Sequence, residues 1–95
     1  MNRKEKDYTI TYMKQNINKN LKIFGERIKD IRKSKSESLN KIAFSRGGVT
    51  SATLSRIENG LVDFKFSTLL HLAHTLNEPL IKLFEGFEYN EIEED

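Results

Sequence analysis

The chain has 95 residues, 37% of them apolar, enough to build one small domain with little left for a second. It contains no cysteine, which excludes disulfides and thiolate metal sites, and no apolar run near the roughly 20 residues needed to span a bilayer. The net charge of +2 hides a division, because residues 1–60 carry 14 Lys/Arg against 6 Asp/Glu while residues 61–95 carry 2 against 8. Such a division suits a protein that turns one face to a polyanion, although an unevenly charged, solvated surface is the plainer reading. The charged start, Met1 to Asp7, is not followed by the apolar core of a signal peptide, so the cytoplasm is the expected location.

Residues 1–20 read as an arm. Within it Tyr8-Thr9-Ile10-Thr11-Tyr12 is β-prone and alternates like a strand, but is too short to fold alone. Asn16 to Asn20 reads as a linker. Residues 21–86 hold the folded domain. Leu21, Phe24, Ile28 and Ile31 recur at helical spacing and predict a first helix to about Ser34. A second helix is expected over Ser38 to Arg46, with Leu39, Ile42 and Ala43 inward, and Gly47-Gly48 breaks it. A third spans Thr50 to Asn59. Thr50 can cap it by accepting a hydrogen bond in the first turn, and Gly60 can end it in a left-handed conformation. By periodicity Thr50, Leu54 and Ile57 share one face, and Ala52, Ser55, Arg56 and Asn59 the other. A fourth helix is expected from Phe66 to Leu76. Pro79 suits the first turn of a fifth, ending at Phe84. Residues 87–95 form an acidic tail.

Two short helices joined by a glycine-containing turn form a helix-turn-helix, in which the second helix reads the major groove and the first crosses the backbone. The open face of the third helix is small and polar with one long cation, which suits a groove.

At these residues the chain resembles the lambda-repressor-like, or Xre/Cro-type, helix-turn-helix regulators. The resemblance runs from Phe24 to Phe84. It rests on Phe24-Gly25-Glu26-Arg27-Ile28, Ile31-Arg32, Ile42-Ala43, Thr53 to Gly60, Ser67 to Ala73 and Leu80 to Phe84. It implies an all-α bundle of five helices and a homodimer on near-palindromic double-stranded DNA. Carried over by position, the base-reading residues are Ser51, Ala52, Thr53 and Arg56. Arginine can bond guanine O6 and N7 together, and alanine can touch a thymine methyl. For Ser51 and Thr53, hydrogen bonding within the first turn is the competing reading. Thr50 and Ser55 complete the DNA-facing set. The resemblance also implies a pair between Arg32 and Glu58 that ties the third helix to the first.

Three features depart from the family pattern. One additional residue lies between Ala43 and Glu58, at Gly47-Gly48, so the turn is expected to bulge and tilt the third helix. Leu39 stands where a DNA-contacting glutamine is common. Beyond Gly60 only Lys65 supplies a cation near the motif. Phosphate anchoring therefore falls to Asn40, Lys41, Arg46, Asn59 and the lysine-rich arm.

His71 and His74 lie three apart, but no third ligand is close in sequence, so no metal or other cofactor is expected. No catalytic constellation appears, and an enzyme is not expected. Leu80, Ile81, Leu83, Phe84 and Phe87 exceed what one short helix buries, and suit a dimer seam. The competing class is a protein-interaction module, such as an antitoxin-like protein that binds a toxin. A restriction–modification controller is a further relative with a similar start at Phe24 to Ile28.

Overall fold

The computed structural model describes residues 3–90, with side chains from Ile17 onward. The chain forms four α-helices and one 3₁₀ turn: α1 (Arg3–Ser34), α2 (Leu39–Arg46), α3 (Ser51–Glu58), α4 (Phe66–Leu76) and the turn Leu80–Phe84. Helix α1 corrects two expectations. It begins at Arg3 rather than near Leu21, and the Tyr8–Tyr12 segment continues it as helix instead of forming a strand-like arm. Tyr, Ile and Thr favour strands only where a pleated neighbour packs against them. A helix nucleated downstream adds one hydrogen bond for each further residue it fixes, and overrides that preference. The expected fifth helix is instead the 3₁₀ turn, with Pro79 preceding it in extended conformation. In so short a segment the tighter i+3 bonds suffice. The acidic residues Glu91, Glu93, Glu94 and Asp95 lie outside the described residues.

The core joins all these elements. Phe24, Ile28 and Ile31 of α1 pack with Ile42, Val49, Leu54, Ile57, Leu69, Leu72, Leu76 and Leu83, all buried. These are mainly the residues whose helical spacing places them on one stripe. Leu70 and Ile81 depart from the pattern and stay exposed. Phe24 is ringed by Phe64, Phe84 and Phe87, with centroids 5.5, 5.3 and 5.9 Å away. The Asn20 side chain meets the tail as a second backbone would. Its amide donates to the Asn90 carbonyl at 2.8 Å, and its carbonyl accepts the Asn90 N–H at 2.6 Å.

Helices α1 and α3 touch backbone to backbone at Gly25. A Cβ there would overlap the Ile57 carbonyl oxygen and lie 2.7 Å from that of Glu58. This contact places Arg32 opposite Glu58. Arg32 donates from Nε to Glu58 Oε2 at 2.6 Å and from Nη2 to Oε1 at 2.9 Å. Its Nη1 donates to the Glu37 carbonyl at 3.0 Å, so the same guanidinium also ties down the α1–α2 connection. The hydrogen bonds to Glu58 raise the Arg32 pKa above its ordinary value. Both side chains are largely shielded, with 11% and 3% of their surfaces exposed. A second bridge, Lys35 to Glu78 at 2.9 Å, joins the end of α1 to the loop after α4. The Lys35 hydrogen bond holds the Glu78 carboxyl below its usual range.

The α2–α3 turn contains two consecutive glycines with positive φ, +69° at Gly47 and +97° at Gly48. Alanine at Gly48 would meet Thr75 Oγ1 and, at 2.7 Å, the His71 carbonyl oxygen. The turn is fastened to α4 by Thr75, which is fully buried. Its hydroxyl accepts the Val49 N–H at 3.0 Å and faces the carbonyls of Gly47 and His71, to one of which it donates.

Two substitutions test these fastenings. Glu58→Ala strands the Arg32 guanidinium and is expected to lower the free energy of unfolding by about 3–5 kcal/mol. Lys33→Ala, at an exposed position, should change it by no more than about 0.5 kcal/mol. Urea denaturation of both variants measures the difference, and equal midpoints would contradict the buried pair. Thr75→Val keeps the shape but leaves the Val49 N–H without a partner, which is expected to cost about 1–3 kcal/mol in the same measurement.

Candidate nucleic-acid interface

Helices α2 and α3 each begin with a hydroxyl cap. Ser38 Oγ accepts the Lys41 N–H, and Thr50 Oγ1 accepts the Thr53 N–H, both at 3.1 Å. Each cap satisfies one of the free amides that a helix start leaves. Thr50 also donates its proton to Thr53 Oγ1 at 3.0 Å. It is exposed at the helix start, although periodicity places it on the face of Leu54 and Ile57. Gly60 follows α3 with φ +67°.

The two faces of α3 separate cleanly. Leu54, Ile57 and Glu58 are buried, whereas Ala52, Arg56 and Asn59 are exposed and Ser51, Thr53 and Ser55 are half-buried. Among the described residues Arg56 has no ion pair, so its guanidinium remains available. The Asn59 side chain donates to the Ser55 carbonyl at 2.8 Å, closing the end of the helix. That bond occupies one donor of Asn59 and leaves its carbonyl.

Helix α2 presents Asn40 and Lys41, both exposed. They border a groove shared with Ser38, Ala43, Phe44, Thr50 and Ser51, so the starts of α2 and α3 open onto one surface. Arg46 behaves differently. Its Nε donates to the His74 carbonyl at 3.0 Å and its Nη2 to Asn77 Oδ1 at 2.9 Å. His74 Nε2 lies 3.0 Å from the Arg46 carbonyl, completing a two-way clamp with the end of α4. The distribution of hydrogen-bond partners thus assigns Arg46 a structural task that its charge does not reveal. Sequence reasoning also passes over Phe44, which is 92% exposed. Its position outside the Leu39, Ile42 and Ala43 stripe is the signal that could have found it.

Charge across this unit is one-sided. From Ser38 to Gly60 the chain has Lys41, Arg46 and Arg56, and one carboxylate, Glu58. Arg32 engages that carboxylate on the inner side. The outer surface is left with uncompensated positive charge beside small polar groups, an arrangement that attracts a polyanion. No helix among the described residues is long and apolar enough to cross a membrane.

No protein-family model and no curated protein match the chain. Among solved structures it is similar to the restriction–modification controller protein C.AhdI from Aeromonas hydrophila, at 27% sequence identity and a TM-score of 0.64. The match covers 70% of this chain and 96% of that one. The similarity is thus to nearly the whole of a controller protein, and not to an enzyme. With α2 and α3 capped, joined and held against α1 as described, the chain has an all-α helix-turn-helix fold similar to that of this controller protein, in keeping with its resemblance to the lambda-repressor-like, Xre/Cro-type regulators.

Proposed function

We propose that the chain binds a near-palindromic operator as a homodimer in the cytoplasm and regulates transcription there, with α3 in the major groove. The observation that carries this reading is the division of α3. Its acidic residue is held by Arg32 on the inner side, and its unpaired cation Arg56 stands on the outer side with Ala52. Arg56 reads a guanine through O6 and N7, and Ala52 rests against a thymine methyl. Ser51, Thr53 and Ser55 supply hydroxyls to bases or nearby phosphates. Thr50, Asn40, Lys41 and Asn59 hold the backbone, and Arg46 adds only the guanidinium nitrogen left over from its clamp.

The dimer reading draws on Ile81 and Phe84, 80% and 40% exposed on the 3₁₀ turn. Leu83 is taken up by the core, and Leu80 and Phe87 are half-buried against it. The seam suggested by the sequence thus narrows to Ile81 and the edge of Phe84. A two-fold axis there would set the two α3 helices one DNA turn apart, roughly 34 Å. The similarity to C.AhdI favours control of restriction–modification genes within this class.

Selection of sites from random DNA at a fixed salt concentration tests the reading. Wild type is expected to enrich a palindrome, and Arg56→Ala to relax preference at one base pair in each half-site, at a cost of about 1–3 kcal/mol. Enrichment of no sequence by wild type would overturn it. Lys41→Ala should weaken binding to all sequences alike and reduce the salt slope by about 0.9 for each phosphate it no longer neutralises. Ile81→Asp should shift sedimentation equilibrium towards monomer, and an unchanged dimer would remove this seam.

A further inference from the structure

The outer side of α2 carries an aromatic ring that the fold does not use. Among the described residues Phe44 is the most exposed of the large hydrophobic residues, at 92%. It lies one helical turn beyond Asn40, on the side away from buried Ile42. It lines the same groove as Asn40, Lys41, Thr50 and Ser51, beside the start of α3. An exposed phenyl ring forfeits the stabilisation that burial would provide, and an occupant of this groove would restore it.

The surroundings indicate which occupant. The exposed charged residues of the α2–α3 unit are Lys41, Arg46 and Arg56, and its carboxylate is bound to Arg32. The ring shares its groove with Lys41 and with Ser51, the first residue of α3, so in the DNA-binding reading it would face the edge of a half-site. A phenyl ring has no hydrogen-bonding group. Among the base edges of the major groove, the apolar group it can distinguish is the C5-methyl of thymine.

Building on the DNA-binding reading, we propose that Phe44 is a specificity-determining residue that packs on the C5-methyl of a thymine at the edge of each half-site, next to the bases read by α3. It adds a second, apolar element of recognition to the hydrogen bonds of Arg56. It also takes up part of the role left open by Leu39, because α2 then contributes a base contact without an amide side chain.

Replacing the thymines of the selected operator one at a time with deoxyuridine removes single methyl groups and leaves every hydrogen-bonding group in place. Wild type is expected to bind about three- to fivefold more weakly per half-site at one symmetric thymine, the effect of exposing one methyl group. Phe44→Ala should bind more weakly and show no response to uracil at that position, while a thymine opposite Ala52 still responds in both proteins. Its thermal melting should match wild type, because the ring is outside the core. An identical uracil response in the two proteins at every position overturns the assignment. So does a uniform drop in affinity across all sequences, which would place the ring on the sugar–phosphate backbone. Unchanged DNA binding with weakened self-association would overturn it in favour of an interface between copies. Failure of wild type to select any sequence would defeat the DNA-binding reading itself, a result distinct from failure of the Phe44 contact alone.

Discussion

The contact between α1 and α3 governs what the surface can do. Gly25 allows the two backbones to approach until the carbonyls of Ile57 and Glu58 occupy the space of a side chain. That approach sets Arg32 and Glu58 at bidentate distance, and the third arm of the guanidinium reaches the Glu37 carbonyl. One buried cation thereby orients α3 and holds the connection to α2. Burying an ion pair is a poor source of stability, because desolvation offsets much of the attraction. Its value here lies in geometry. An eight-residue helix is marginal by itself, and a recognition helix must keep its side chains within a fraction of an ångström of a productive position. The pair also keeps the carboxylate of α3 away from its outer side, where it would repel phosphate.

The other fastening comes from α4. The α2–α3 turn passes through consecutive positive-φ glycines, and Thr75 holds it through the Val49 N–H. Arg46 and His74 repeat the arrangement a few residues away, each side chain engaging the other's backbone carbonyl. The orientation of α3 relative to α2 thus depends on α4, whose residues do not line the groove at the starts of α2 and α3. The backbone groups of this turn meet a buried hydroxyl, where unpaired they would carry a desolvation penalty.

What is legible in the sequence follows the range of the forces involved. The cap of α3, the bounds of α4 and most of the core stripe depend on neighbours within a few residues, and the sequence shows them. The Arg32–Glu58 pair spans 26 positions and is reached through family resemblance, since periodicity places each residue but cannot match them. The clamp on Arg46 and the role of Thr75 depend on the way α4 crosses the turn, which no local pattern encodes. Residues 3–20 show the opposite case. There the local strand preference of Tyr8 to Tyr12 is plain in the sequence, yet it yields to a helix propagated from downstream. The last segment keeps its predicted place but takes the tighter 3₁₀ form. Phe44 is legible as an apolar residue off the inward stripe, yet a lone apolar surface residue is ordinary. Its meaning comes from the groove it borders.

The two sides of α3 divide folding from the recognition proposed for this helix. Leu54, Ile57 and Glu58 hold the helix, and Ala52 and Arg56 are free of those tasks. Binding preference can therefore change at the second set without disturbing the first, because contacts separated in this way contribute almost independently. Arg46 and Thr50 sit on the boundary, since each supports the fold and also borders the proposed surface. Their substitution would mix the two effects. Phe44 is outside the core and lines the proposed surface. Its hydrophobic surface gains nothing from the folded chain by itself and would be removed from water only when another molecule covers the groove.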